Sequence, residues 1–367
     1  MSSGEWGVVN GEWWTKRSAS LFKRTRVPTI AMMLLLPLPS LLAQDAERGR
    51  PIYEKWCAGC HGESGAGDGE AVEFMVPRPR DFTRAVYQIR TTASGELPTD
   101  DDLRKVIDTG MPGTTMPGWS DRLSARERDD VIAYIKSFSH FFDGPAPEPI
   151  EAGNPPRITE GGLVEGRQLF VEGLECAQCH GDAGRGDGTS APDLTDDWDN
   201  PIRATDLTEN WNFNGGGSVA DIYMRLRTGL DGTPMPTQSD VIDAGIITDE
   251  QLWLAAQYVR SLSPPDVPEV REVIRARLIE GELPNGPGDE SWNEVAAYYI
   301  PLVGQIIVKP RWFAPAVDGV WVQAVHNGEH LAVRLTWHDP TNSPDPAWDV
   351  FFHRMVQTVT DVDGPHV

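Results

Sequence analysis

The feature that most constrains this 367-residue chain is a repeat of its own sequence at an offset of 119 residues. Four short segments recur in the same order and at the same offset. They are Cys57–His61 with Cys176–His180, Gly65–Gly69 with Gly184–Gly188, Asp102–Gly110 with Asp221–Gly229, and Gly113–Pro117 with Gly232–Pro236. The return of one register four times predicts two homologous modules.

Each module carries the motif Cys-x-x-Cys-His, and the two copies contain all four cysteines of the chain. Two cysteines separated by two residues match the span between the vinyl groups of a haem, and the next residue is then placed under the iron. The motif therefore predicts covalent attachment of two haem c groups. The attachment residues are Cys57, Cys60, Cys176 and Cys179, and the proximal iron ligands are His61 and His180.

Three other interpretations of the cysteine pairs explain less. A zinc ribbon places its two pairs roughly 15–20 residues apart, whereas these pairs lie in separate modules. A thioredoxin-like redox disulfide requires a βαβ setting, which the pattern does not show. A structural disulfide across two residues is strained, and a chain rarely builds it twice.

The repeat also selects the sixth iron ligand among five methionines. Met111 aligns with Leu230, and Met224 aligns with Lys105. Only Met116 and Met235 correspond, each in a Gly-Thr-x-Met-Pro loop and each 55 residues after its histidine. A thioether ligand favours reduced iron and raises its potential. Because both axial positions are then filled, the pattern favours electron transfer over catalysis, and no catalytic residue is predicted.

Each module is expected to close with an amphipathic helix that begins at a capping box. Ser124 with Glu127 starts the first of these helices, and Thr248 with Gln251 starts the second. Between the motifs, module 2 has six extra residues around "DDWDNPIRATDLT". In module 1, "PRPRDFT" is extended by its prolines and could line the haem edge. Arg90 either meets a haem propionate or is a solvated arginine.

The N-terminus predicts an exported protein. A basic region ends at Arg26 and is followed by the apolar segment from Ile30 to Ala43, which is too short and too proline-rich to span a membrane. This pattern is typical of a signal peptide cleaved after Ala43. The expected product is periplasmic or otherwise exported, and soluble after cleavage. An uncleaved anchor is the alternative, and only then is membrane contact expected.

The charge of the chain excludes one class of partner. The formal net charge is −23 and the pI is about 4.7, whereas nucleic-acid binding requires a basic face. An acidic redox protein is drawn towards a basic docking surface. Acidity that only keeps an exported protein soluble is the alternative interpretation.

The fold class predicted is multidomain α+β, with two all-α modules followed by a partial β-sandwich-like domain. From Trp292 onward the sequence becomes strand-like, and Val320–Asp339 alternates polar and apolar residues around a turn at His326–Gly328, as in a β-hairpin. The predicted boundaries are a signal peptide at 1–43, module 1 at 44–144, a linker at 145–158, module 2 at 159–263, a linker at 264–291, and a β-rich domain at 292–367.

Two regions, 45–143 and 159–263, resemble class I-type cytochrome c domains. The resemblance rests on "CAGCH" and "CAQCH", on the Met-Pro loops at Met116 and Met235, and on closing helices that contain Tyr134 and Tyr258. It implies N- and C-terminal helices that cross near a haem held by histidine and methionine.

The tail resembles a second family, the haem b-binding γ subunits of ethylbenzene dehydrogenase, nitrate reductase and chlorate reductase. The residues that carry this resemblance are Tyr298–Trp312 and Val320–Thr341. It implies a β-sandwich that binds haem b through methionine and lysine. That family's ligands lie further along the chain, so ligation is not transferred to Lys309 or Met355. If the chain is a fragment, the tail is expected to be an incomplete domain whose missing part binds haem b. If the chain is complete, the tail is expected to be a docking module.

The expected function combines these features. The chain is predicted to be an exported dihaem cytochrome that transfers single electrons as a redox subunit or partner of a molybdopterin-type oxidoreductase of the DMSO reductase family, which also contains iron–sulfur centres. A dihaem peroxidase-like enzyme is one alternative and would need an open iron. A cytochrome subunit of a membrane oxidase or of an alcohol dehydrogenase is the other.

Overall fold

The computed structural model describes residues 8–9, 12–13, 41–265, 269–270, 273–302, 317 and 319–337. The chain divides into a unit of residues 1–39 and a unit of residues 40–367. Within the first unit, strands β1 (Val8–Val9) and β2 (Glu12–Trp13) pair antiparallel. The remainder of the predicted signal peptide up to residue 40 lies outside the described residues.

Module 1 is built from four α-helices and two short 3-10 helices, Val72–Phe74 and His140–Asp143. The α-helices are α1 (Leu41–Trp56), α2 (Ala58–His61), α3 (Asp100–Thr109) and α4 (Ala125–Lys136). Helix α1 crosses α4 at Gly49, where an added Cβ would lie 1.9 Å from the carbonyl oxygen of Asp130 and 2.9 Å from Cβ of Tyr134. A glycine at this position therefore lets the two helix backbones approach closely.

Module 2 repeats this arrangement with one more helix. Its helices are α5 (Glu160–Gln168), α6 (Ala177–His180), α7 (Val219–Thr228), α8 (Ser239–Asp243) and α9 (Asp249–Ser261). A π-helical turn, Leu169–Gly173, continues α5. Gly166 stands at the crossing of α5 and α9, where an added Cβ would lie 2.3 Å from the carbonyl oxygen of Leu254 and 2.9 Å from Cβ of Tyr258.

The predicted capping boxes of the closing helices are confirmed. The hydroxyl of Ser124 accepts from the backbone N–H of Glu127, whose carboxylate accepts from the N–H of Ser124. Thr248 and Gln251 make the corresponding pair of hydrogen bonds. The inner faces of α4 and α9 are buried in the cores of their modules, so each closing helix covers one core.

The tail forms a five-stranded sheet within the described residues. Its strands are β3 (Glu269–Val270), β4 (Arg277–Leu278), β5 (Tyr298–Pro301), β6 (Gly319–His326) and β7 (Leu331–Thr336). The order is β3-β5-β6-β4, with β7 paired to β6. Strands β6 and β7 are the expected antiparallel hairpin, with His326 opposite Leu331. The turn lies at 327–330, slightly later than predicted.

The sheet packs against module 2 through Tyr299, which is 1% exposed. Its hydroxyl donates to the Glu209 carboxylate at 2.9 Å and accepts from the Asn212 side chain at 3.3 Å. The rings of Trp211, Tyr299 and Trp321 contact one another edge to face. The tail is therefore anchored beside a 3-10 helix of module 2, Asn210–Asn212.

Several expectations about the tail fall on residues that are not described. Lys309 and Met355 lie outside the described residues, as do residues 303–312 of the segment Tyr298–Trp312 and residues 338–341 of the segment Val320–Thr341. Among the helices that the structure describes, none is long and apolar enough to cross a membrane.

Candidate functional site

The first Cys-x-x-Cys-His motif lies on α2, directly after α1. The backbone N–H of Cys57 donates to the carbonyl of Tyr53 at 2.8 Å, and the N–H of His61 donates to the carbonyl of Cys57 at 2.9 Å. Cys176 and His180 make the same bond at 2.9 Å in module 2. The helical turn thus places two cysteines and one histidine together in each module.

Both histidines are oriented by a backbone carbonyl. Nδ1 of His61 lies 3.0 Å from the carbonyl oxygen of Arg80, and Nδ1 of His180 lies 2.9 Å from that of Thr205. Desolvation lowers the pKa of both imidazoles, which favours the neutral ring. Because a carbonyl only accepts, Nδ1 carries the proton and Nε2 keeps its lone pair for a metal.

The cysteines are free thiols in the structure. All four are free and half-buried. Burial raises the pKa of Cys57 to about 12 and that of Cys176 to about 11, so these two sulfurs carry no charge at neutral pH. Within the described residues, no three His, Cys, Asp or Glu side chains are grouped as a metal site would require. The arrangement fits covalent attachment of a cofactor better than a thiolate–zinc site.

Met116 and Met235 lie in loops with the same hydrogen bonds. The backbone carbonyl of Met116 accepts from the N–H of Met111 at 3.0 Å, and that of Met235 accepts from the N–H of Leu230 at 3.1 Å. The hydroxyl of Thr114 donates to the carbonyl of Met111, and the hydroxyl of Thr233 donates to the carbonyl of Leu230, both at 2.7 Å. The two methionines are therefore structural equivalents, as the repeat predicts.

A glycine at the end of a helix brings each methionine loop close to the helix before it. Gly110 follows α3 with φ +71°, and an added Cβ would lie 2.6 Å from the carbonyl oxygen of Met116. Gly229 follows α7 with φ +63°, and there the distance to the carbonyl oxygen of Met235 would be 3.0 Å. A side chain at either glycine would push the loop away.

The surroundings of His61 fit a haem. Its ring stacks on Phe82, with centroids 4.5 Å apart, and the cysteine turn packs on the module core. Tyr87 is buried, and its hydroxyl has no hydrogen-bond partner among the described residues. Such an orphaned donor beside an aromatic wall is expected where a cofactor supplies the missing acceptor.

The alternative that Arg90 is a solvated arginine is wrong. Its side chain is 0% exposed, and one guanidinium nitrogen lies 2.7 Å from the carboxylate of Asp231 in module 2. Its other bonds are to the carbonyls of Tyr87, Ala93 and Thr228. Four of the five guanidinium N–H groups are used by these bonds, two of which reach module 2, so Arg90 joins the two modules.

The carbonyls of Arg80 and Thr205 were not predicted as partners of the histidines. A backbone acceptor has no residue-type signal, although "PRPRDFT" was singled out as a segment near the haem edge. The six-residue excess of module 2 lies between His180 and Thr205, since Arg80 follows His61 by 19 residues and Thr205 follows His180 by 25.

Two parts of the chain match known families. Residues 44–135 match "Cytochrome C oxidase, cbb3-type, subunit III", and residues 163–263 match "Cytochrome c".

Among curated proteins, the chain is similar to the cbb3-type cytochrome c oxidase subunit CcoP of Rhodobacter capsulatus, with 25% identity over 227 residues, 61% of this chain and 64% of CcoP. Subunit FixP of Sinorhizobium medicae is 27% identical over 43% of this chain and 47% of its own length. The matches thus span less than two thirds of these relatives.

Among solved structures, the chain is similar to one chain of the reducing HAO-like protein complex of Kuenenia stuttgartiensis. The two are 44% identical with a TM-score of 0.55, and the match covers 59% of this chain and 96% of the other.

Proposed function

We propose that this chain, a member of the cytochrome c family with two of its domains in tandem, is an exported dihaem carrier of single electrons. The observation that carries the proposal is the pair of methionine loops. Met116 and Met235 share position, hydrogen bonds and a helix-ending glycine, although the sequences between the repeated anchors differ. Haem c supplies one-electron exchange between Fe(II) and Fe(III).

The protein's own residues determine the coordination. Cys57, Cys60, Cys176 and Cys179 attach the two groups as thioethers. His61 and His180 present Nε2 because their Nδ1–H groups are bound to carbonyls. Met116 and Met235 would supply the second iron ligand of each group, and their thioethers would favour reduced iron and raise the potential. Neither site then has room for peroxide, which disfavours the peroxidase-like alternative.

We propose that the carrier works as a subunit of a multi-protein redox complex. The similar chains named above belong to such assemblies, an oxidase in one case and a reducing HAO-like complex in the other. The 44% identity to the second favours a partner of that kind. A molybdopterin-type partner is the second candidate, and it rests on the resemblance of the tail to γ subunits.

The place of the tail supports a route for electrons. Tyr299 fixes the sheet beside Asn212 and Glu209 of module 2. A partner bound to the tail would therefore exchange electrons with module 2 first, and module 1 would serve the other carrier. Export by the N-terminal segment and the module boundaries 44–144 and 159–263 belong to the same proposal. The β-rich domain begins earlier than the predicted residue 292, because β3 and β4 of its sheet lie within the predicted linker 264–291.

The test uses the full chain produced in a host that attaches haem c. The expected product has two covalent haems, both closed to carbon monoxide, and oxidises and reduces reversibly. Binding of carbon monoxide to the wild-type protein, or turnover of peroxide, would favour the enzyme alternative. Reduction of the purified carrier by an isolated HAO-like or molybdopterin enzyme then distinguishes the two partner classes.

A further inference from the structure

The two modules distribute the same length of chain differently. In each module the methionine follows the histidine by 55 positions. The segment from the histidine to the residue whose carbonyl binds it is six residues longer in module 2 than in module 1. Module 1 uses six more afterwards, since α3 begins 18 residues after Phe82 whereas α7 begins 12 residues after Leu207. Phe82 and Leu207 occupy equivalent positions. The N–H of Phe82 donates to the carbonyl of Gly65, and the N–H of Leu207 donates to the carbonyl of Gly184, which is the corresponding glycine of module 2.

The extra residues of module 2 form a turn from Thr195 to Pro201. The carboxylate of Asp196 accepts from the N–H groups of Trp198 and Asn200, at 3.0 and 2.8 Å. Thr195 and Pro201 pair as an antiparallel bridge across the base of the turn. These bonds place Trp198 at its tip.

Trp198 lies against module 1. Its ring centroid is 5.3 Å from the guanidinium of Arg80 and 5.5 Å from that of Arg84. Cation–π contacts at such distances are favourable, more so where water is excluded. The Arg80 side chain is half-buried, so its guanidinium is partly shielded from water.

The same tryptophan also touches the loop that ends at Met235. An added Cβ at Gly232 would lie 2.8 Å from the Trp198 ring and 3.5 Å from the Arg80 guanidinium. The N–H of Asp197 donates to the carbonyl of Gly232 at 3.1 Å. Gly232 has φ +82°, so glycine is suited to this position both by its conformation and by the close approach.

The extra residues of module 1 reach that loop from the other side. The carboxylate of Asp231 pairs with Arg90 at 2.7 Å and accepts from the Ser94 hydroxyl and the Gly95 N–H, both at 2.9 Å. Asp231 directly precedes Gly232. The additional segment of each module therefore contacts the other module, and both contacts meet at residues 231–232.

We propose that Arg80 and Trp198 are positioning residues shared by two redox sites, the histidine site of module 1 and the methionine site of module 2. Arg80 holds His61 through its carbonyl oxygen, while its guanidinium rests on the ring that supports the Met235 loop. A change in the packing of Trp198 then alters both sites. The inference rests on the proposed function, because it requires a haem in each module.

The direction of the effect follows from charge and ligation. Arg80 binds His61 through its carbonyl, and a positive charge on that residue that is shielded from water would favour the reduced state of an iron held by His61. A firmly held thioether would do the same for an iron held by Met235. Removing the Trp198 ring lets water reach Arg80 and loosens the loop of Met235. Both potentials therefore fall, and the iron of module 2 becomes accessible to carbon monoxide.

The experiment compares Trp198→Ala, Trp198→Phe and Arg80→Lys with the wild-type full chain carrying haem c. Both potentials are measured by spectroelectrochemical titration, with carbon monoxide binding as a second readout. Trp198→Ala is expected to lower both potentials and to open module 2 to carbon monoxide. Trp198→Phe, which keeps an aromatic ring, and Arg80→Lys, which keeps the backbone and the charge, are expected to retain most of the wild-type values.

Arg126→Met serves as the control, because Arg126 is an exposed cation of module 1 whose ion pair is with Asp130 and not with the ring of Trp198. It is expected to leave both potentials nearly unchanged. If Trp198→Ala binds two haems and shifts neither potential, or shifts only one, the shared role is refuted while the proposed function stands. If the wild-type chain binds fewer than two haems, the proposed function itself fails.

Discussion

The guanidinium of Arg90 lies 2.7 Å from the carboxylate of Asp231, which stands four residues before Met235 in the other module. Arg90 is fully buried, and its charge is compensated by this carboxylate at contact distance, by backbone carbonyls and by the more distant carboxylate of Asp102. Breaking a buried pair by removing one partner costs about 3–5 kcal/mol, because the other charge is left without compensation. The stability of the two modules is therefore linked through this contact.

Asp231→Ala should separate the unfolding of the two modules. We expect scanning calorimetry of the full chain to show the unfolding transition at a lower temperature and split in two, since the Arg90 guanidinium loses its counter-charge. Lys136→Met is the matched control, because it removes a surface pair with Asp100 and should cost less than about 1 kcal/mol. A loss for Asp231→Ala no larger than that of the control would contradict the linkage.

Met116→Ala and Met235→Ala should each affect one haem. Removal of the thioether lowers the potential of that haem and lets carbon monoxide bind its iron, because the sixth position is no longer filled. The measurement is a redox titration with and without carbon monoxide. Met111→Leu is the control, since module 2 has Leu230 at the corresponding position. An effect of Met111→Leu equal to that of Met116→Ala would mean that the wrong methionine has been assigned.

Gly49→Ala and Gly166→Ala should destabilise their modules. The added methyl groups would lie 1.9 and 2.3 Å from backbone oxygens of the crossing helix, so the helices must move apart. Overpacking of this kind costs about 1–3 kcal/mol. Chemical denaturation followed by far-UV circular dichroism measures the loss. Gly161→Ala, in α5 but with nothing within 4 Å, should be neutral or stabilising by up to about 1 kcal/mol.

The module 1 core should lose stability in alkaline solution through Tyr53. Burial raises the pKa of Tyr53 above its ordinary value of 10.0, and its hydroxyl donates to the carbonyl of Gly62 at 2.7 Å. The folded chain therefore keeps a proton that the unfolded chain releases. This contribution to stability is complete below pH 10 and is lost as the pH rises from 10 through the folded-state pKa.

Denaturation at several pH values between 8 and 11 measures that slope. Tyr53→Phe should be less stable than the wild type at pH 8, because the hydrogen bond to Gly62 is lost. Above pH 10 its free energy of unfolding should depend less steeply on pH than that of the wild type. An equal slope in both proteins would show that Tyr53 does not carry the effect.

Much of this architecture could be predicted from the sequence because it repeats. The repeat at an offset of 119 residues predicted the two modules, the two cysteine–histidine motifs and the equivalence of Met116 and Met235. The capping boxes of α4 and α9 were also predictable, because each depends on two residues three positions apart. These features are local, or are duplicated, and both kinds leave a pattern in the residue types.

The contacts between the modules could not be predicted in the same way. Arg90 finds Asp231 and Thr228 across the fold, and neither partner is near it in the chain. The carbonyl of Arg80 acts through the backbone, which any residue supplies. Trp198 lies in the six-residue insertion of module 2 that the sequence comparison shows. Its packing on Arg80 could not be predicted, because it depends on how one module docks on the other.

The most direct test of the account is the haem content and coordination of the purified full chain. Mass spectrometry and a pyridine haemochrome assay count the covalent groups, and the optical spectrum with carbon monoxide reports the sixth ligand. We expect two haem c groups per chain, both six-coordinate and both closed to carbon monoxide at neutral pH. Fewer than two covalent haems, or carbon monoxide bound to either wild-type iron, would contradict it.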